Sequence, residues 1–99
     1  MITFVRTFSI APGKNAEVMS FTRQARKLFA DKFGVELRAT VPIGGDPNRI
    51  AYSANFESLA EYERTLLKIV ADSDYQKLIA AYMPHIDHGT TQDQLWRDV

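Results

Sequence analysis

VELRATVPIGGDPNRIAYSANF, residues 35–56, is the stretch that decides the fold. Val35, Leu37, Ala39, Val41 and Ile43 fall on one side of an extended chain, and Glu36, Arg38 and Thr40 on the other. This strict two-residue period predicts a strand from Val35 to Ile43, because successive side chains of extended backbone point to opposite faces. Alternation resumes from Arg49 to Glu57, with Ile50, Tyr52, Ala54 and Phe56 sharing a side. Between the two runs, Gly44-Gly45-Asp46-Pro47-Asn48 is too rich in turn formers to be anything but a connection. The pair therefore predicts an antiparallel hairpin.

The same period governs the amino terminus. From Ile2 to Ile10, Phe4 and Phe8 share a side with Arg6, while Thr3, Val5, Thr7 and Ser9 take the other. Ala11-Pro12-Gly13-Lys14-Asn15 turns the chain, with Asn15 the expected helix cap. A helix follows on Val18, Phe21, Ala25, Leu28, Phe29 and Phe33, spaced by threes and fours, and Gly34 stands where a left-handed cap is needed. Its other side carries Arg23, Arg26 and Lys27, a solvated face. Beyond the hairpin, Ser58-Leu59-Ala60-Glu61 fits a capping box that opens a helix with the stripe Leu59, Tyr62, Leu66, Ile69 and Val70. Asp72-Ser73-Asp74 interrupts it and recaps a segment carrying Tyr75, Leu78, Ile79, Tyr82 and Met83. Gly89 to Arg97 reads as a fourth strand, with an exposed arm as the alternative.

The order strand, helix, strand, strand, broken helix, strand is that of the ferredoxin-like split βαβ sandwich. The expected fold class is α+β, a single domain over 1–99 with a four-stranded antiparallel sheet and helices on one face. The bare face would show Val5, Thr7, Ser9, Ala51, Ser53 and Asn55, side chains suited to packing on a second sheet. A homodimer closed through the sheets into an α+β barrel is the expected assembly.

Composition agrees with one small domain. Ninety-nine residues with 45% hydrophobic and 24% charged side chains make an adequate but thin core that a partner subunit would help. Twelve basic and twelve acidic residues cancel, although residues 1–50 hold eight bases and four acids and residues 51–99 the reverse. No nucleic-acid partner is expected, since phosphate binding needs clustered Lys and Arg without this balance. Cysteine is absent, which removes disulfides and thiolate chemistry. No stretch approaches the apolar length of a membrane span and the first residues lack a signal-peptide pattern, so no membrane partner and a cytoplasmic location are expected.

The opening Phe4-Val5-Arg6-Thr7-Phe8-Ser9-Ile10-Ala11-Pro12-Gly13-Lys14, followed by Glu17 and Phe21, resembles the first strand and turn of NIPSNAP-like proteins. Leu59-Ala60-Glu61-Tyr62 and Ser73-Asp74-Tyr75 resemble the second helix and its break across the wider dimeric α+β barrel superfamily, which includes antibiotic-biosynthesis monooxygenases and haem-degrading enzymes. The resemblance covers nearly the whole chain and implies the fold and the dimer. It places strand one beside a ligand pocket. The position matching the haem-ligating histidine falls near Ala80, so haem is disfavoured and no cofactor is expected.

Arg6 is the most informative residue, a guanidinium in the middle of an apolar stripe. One reading pairs it with Glu36, Glu57 or an acid of the second helix, or lets it snorkel at an edge. The other has it line a pocket and bind a carboxylate, enolate or phenolate. Tyr52 is placed in that pocket as hydrogen-bond donor and His85 as proton carrier, completing a candidate catalytic set with Arg6. Phe4, Phe8, Tyr82 and Trp96 are the candidate substrate-binding residues, Trp96 having an alternative role as an anchor of the last strand or dimer interface. His85, Asp87 and His88 are a weak metal constellation with no further framework.

The expected function is to bind a small hydrophobic or aromatic anionic molecule between sheet and helices. Two alternatives stand beside it: a cofactor-independent monooxygenase or isomerase acting on a phenolic or enolisable substrate, and a non-catalytic structural or protein-interaction dimer.

Overall fold

The computed structural model describes residues 1–99. Strand β1 (Ile2–Ser9) leads to helix α1 (Asn15–Leu28), then β2 (Arg38–Thr40), β3 (Arg49–Phe56), α2 (Leu59–Ala71), α3 (Ser73–Tyr82) and β4 (Gln92–Arg97). The strands form one antiparallel sheet in the order β2-β3-β1-β4. The ferredoxin-like α+β fold is therefore present, and residues 92–97 are a strand rather than an arm.

The helix side of the sheet is the side the alternation selected. Ile2, Phe8, Ile50, Tyr52, Ala54 and Phe56 are buried there, and Phe8 packs with Ile10, Val18, Phe21, Tyr52 and Tyr82 in the larger of two core clusters. A second cluster, Ile2, Val35, Ala54 and Phe56, fills the other end.

The last strand opens at Gln92 rather than Gly89, and three further boundaries differ from expectation, each for a local reason. The hairpin strand expected over Val35–Ile43 contracts to Arg38–Thr40. Val35 gives its N–H to the Phe29 carbonyl, and Pro42 has no N–H to offer the ladder. Val35 and Leu37 still bury inward, but Val41 and Ile43 are exposed. At the start of α1, Lys14 rather than Asn15 occupies the cap position, and no side chain caps there. At its end, Phe29–Phe33 forms a π turn closed by Gly34 in the left-handed conformation (φ 63°), with the Gly34 N–H donating to the Phe29 carbonyl. The wider turn sets Phe29 and Phe33 edge to face, 5.8 Å apart.

The break between α2 and α3 works as read. Ser58 accepts from the Glu61 amide at the start of α2, and the Asp72 side chain accepts from the Tyr75 amide at the start of α3. Lys32 bonds both Asp72 (2.8 Å) and Asp74 (2.7 Å), tying the end of the π turn to this junction. No helix is long and apolar enough to cross a membrane.

Candidate functional site

Of the α2 stripe only Ile69 is buried, while Leu59, Leu66 and Val70 keep 49%, 40% and 48% of their surface. For Leu66 and Val70 the reason is a cavity of about 220 Å³ between α2, α3 and the sheet, which Leu59 does not border. Leu66, Ile69 and Val70 border it from α2, Tyr75, Ile79 and Tyr82 from α3, and Phe4, Tyr52, Ala54 and Phe56 from the strands. Two alanines, Ala25 of α1 and Ala54 of β3, also line it, and both are buried. Every lining residue is hydrophobic except Arg6 and Asp93.

Register brings those two together. Arg6 of β1 lies opposite Asp93 of β4, on the helix side of the sheet. Arg6 donates from Nε to Oδ1 at 2.7 Å and from Nη2 to Oδ2 at 2.8 Å, a two-point fork between planar groups. The side chains are 39% and 45% exposed, so the pair sits at the rim of the cavity. Its effect is mutual: the hydrogen bond with Asp93 raises the Arg6 pKa, and the same bond holds the Asp93 carboxyl below the usual carboxylate range. The guanidinium also lies 5.7 Å from the centre of the Phe4 ring. The ion-pair half of the Arg6 reading is thus realised, with Asp93 in place of Glu36, Glu57 or a helix acid.

Tyr52 lines the cavity, but its hydroxyl is committed elsewhere. It lies 2.6 Å from the Thr22 hydroxyl, which spends its own proton on the Val18 carbonyl, so Tyr52 is the donor. Burial pushes the Tyr52 phenol up to about 12. Burial likewise raises Tyr75 and Tyr82, leaving neutral hydroxyls in the cavity wall.

The other candidates are dispersed. Phe4 and Tyr82 line the cavity; Phe8 is buried in the core behind it, edge to face with Tyr52 and Tyr82. Trp96 lies on the opposite face of the sheet, paired with Thr3 and exposed, because it is one residue out of step with Leu95. His85 sits in the turn after α3, where its carbonyl accepts from the Ala11 amide and its Nδ1 is buried without a hydrogen-bond partner. It does not border the cavity, since Ala11 is five residues along from Arg6, roughly 16 Å of extended chain. Asp87 and His88 are exposed, and no group of three or more potential metal ligands gathers anywhere in the fold. Asp93 is the residue that sequence reading missed. Its only signal was a carboxylate in a strand whose partner and register were unknown.

Solved structures share this fold. An Agrobacterium tumefaciens protein is 16% identical with a TM-score of 0.85 over 100% of this chain and 94% of its own. A NIPSNAP domain protein from Burkholderia xenovorans is 18% identical with a TM-score of 0.82, covering 100% and 95%. An antibiotic biosynthesis monooxygenase-like protein from Deinococcus radiodurans is 11% identical with a TM-score of 0.75, covering 100% and 93%. No curated protein matches the chain. The NIPSNAP family profile, in contrast, matches residues 3–94, nearly the whole chain, and the protein belongs to the NIPSNAP family.

Proposed function

We propose that this NIPSNAP protein is a homodimer that binds a small hydrophobic or aromatic molecule, with one oxygen-bearing polar group, in the cavity between its sheet and its helices. One observation carries the reading: a void of about 220 Å³ whose wall is aliphatic and aromatic, with a single Arg–Asp pair as its charged groups. Such walls bind by removing apolar ligand surface from water, at roughly 25 cal/mol per Å², while a few polar groups fix orientation. Phe4 and Tyr82 serve as wall, and Arg6 meets the oxygen. The bare sheet face, with Val5, Ala51 and the exposed Trp96, supports the dimer.

The enzymatic alternative, a cofactor-independent monooxygenase or isomerase, has the monooxygenase-like neighbours behind it as fold alone. In it Arg6 would stabilise developing negative charge, but Tyr52 is already bonded to Thr22 and His85 lies outside the cavity. A structural or protein-interaction dimer would leave the cavity unused.

A thermal-shift panel of hydrophobic phenols, quinols and lactones tests the reading, run on the wild type and on Leu66→Trp, whose indole would fill the void from a half-exposed position. Ligand at a hundred times its Kd adds about 2.7 kcal/mol. The expected result is a rise of several degrees for at least one compound in the wild type and none in Leu66→Trp. Equal shifts in both proteins, or no shift from any compound, would overturn it.

A further inference from the structure

Resting on that cavity being a ligand site, we infer that it selects uncharged ligands, each an apolar body bearing a neutral oxygen acceptor such as a ketone, ester or amide carbonyl, and that Asp93 imposes the choice.

A single arginine in an apolar wall would recruit an anion, because an uncompensated charge there lacks its water and its counter-ion. This cavity does not present one. Its wall holds one cation and one anion, and they are joined at 2.7 and 2.8 Å through two of the five guanidinium N–H donors. The remaining titratable groups lining it are the phenols of Tyr52, Tyr62, Tyr75 and Tyr82. The wall is therefore neutral overall.

An anionic ligand that reached Arg6 would also reach the Asp93 carboxylate. Solvent at the rim screens the repulsion in part, but the face of the pair that meets the ligand is turned to the apolar wall, where screening is weaker than in bulk water. To escape it, the ligand would have to displace Asp93, leaving a carboxylate without its partner beside apolar surface. A carbonyl oxygen meets neither penalty. It can accept from one of the three guanidinium N–H groups that Asp93 leaves uncommitted, and the pair stays intact. Asp93 is thus a specificity-determining residue contributed by the last strand, opposite the residue it neutralises.

The test compares 2-acetylnaphthalene, a neutral ketone, with 2-naphthoate, a carboxylate of similar shape, by calorimetric titration at pH 7 into the wild type, Asp93→Asn and Asp93→Glu. The wild type should bind the ketone at least tenfold more tightly than the carboxylate. Asp93→Asn keeps the size and removes the charge, so its affinity for naphthoate should rise tenfold or more while that for the ketone changes less than threefold. Asp93→Glu, which keeps the charge, should retain the ketone preference. A wild type that prefers naphthoate overturns the inference and leaves the cavity reading standing, as does an Asp93→Asn ratio equal to that of the wild type. Failure of both probes to bind the wild type at millimolar concentration overturns the inference and the cavity reading together. Where Asp93→Asn does not fold, Asp93→Ser carries the same comparison, with the same rise for naphthoate expected and an unchanged ratio overturning the role of Asp93.

Discussion

Arg6 and Asp93 are 87 positions apart in the chain and directly opposite in the sheet. Alternation alone put Arg6 on the helix side, since the period of β1 admits no other placement. Naming its partner required the register of β4, an edge strand of six residues with weak patterning, and no local signal carries that information. The pair has a titration consequence. The Asp93 carboxyl is held low by the Arg6 hydrogen bond, so its contribution is present above the unfolded value of about 4 and is lost as pH falls through the lower folded value. In urea melts between about pH 5 and 2, Asp93→Asn should lose less stability than the wild type. With both groups well exposed, the difference should stay under about 1 kcal/mol. Tyr52 shows the opposite sign. Its phenol is pushed up to about 12 by burial, so the stability it contributes is complete below about pH 10 and disappears as pH rises to about 12. Tyr52→Phe should flatten that alkaline loss in melts at pH 9 to 12. At neutral pH it should cost about 1 kcal/mol for the bond to Thr22. A phenol titration with all four tyrosines ionising near pH 10 would contradict the burial argument.

At the scale of elements, most of the fold was legible because it is written in short periods. The strands β1 and β3, the recapping at Asp72 and the left-handed Gly34 all follow from spacing and turn chemistry. The length of β2 did not follow, because side-chain alternation reports extended backbone and not the presence of a hydrogen-bonding neighbour. The α2 stripe carries a related lesson. Periodicity shows which side of a helix faces inward, and here that side borders a void. Only Ile69 of α2 is buried, whereas α1 buries Val18, Phe21, Thr22 and Ala25. Amide exchange should accordingly be faster in α2 than in α1, and a cavity ligand should slow α2 selectively. Uniform protection of both helices without ligand would count against this. The cap at Ser58 is worth about 1 kcal/mol, so Ser58→Ala should lower the melting temperature by roughly 4–8 °C.

For the whole molecule, the division into a basic first half and an acidic second half becomes a set of internal clasps. Of five ion pairs, four join the amino terminus, Arg6 or Lys32 to acids at positions 72, 74, 93 and 98; Lys27 with Asp31 is the exception. Helix α2 itself is balanced, with Glu61 and Glu63 against Arg64 and Lys68, so the complementarity lies at junctions and termini. The sheet face away from the helices carries the assembly prediction. Sedimentation at micromolar concentration should give twice 11.2 kDa, and Val5→Arg, placed mid-sheet on that face, should give the monomer. A monomeric wild type would refute the expected interface. A pocket between sheet and helices was expected from Arg6 and the family resemblance, but its size and most of its lining were not legible, because a void is the difference between stripes and not a property of any one of them. Its smallest lining side chains are Ala25 of α1 and Ala54 of β3. Those two methyl groups act as the stops of a gauge: a bulkier side chain at either position shortens the molecule that can be admitted, so residues 25 and 54 are where evolution, or an engineer, would reset ligand size without touching the charged rim.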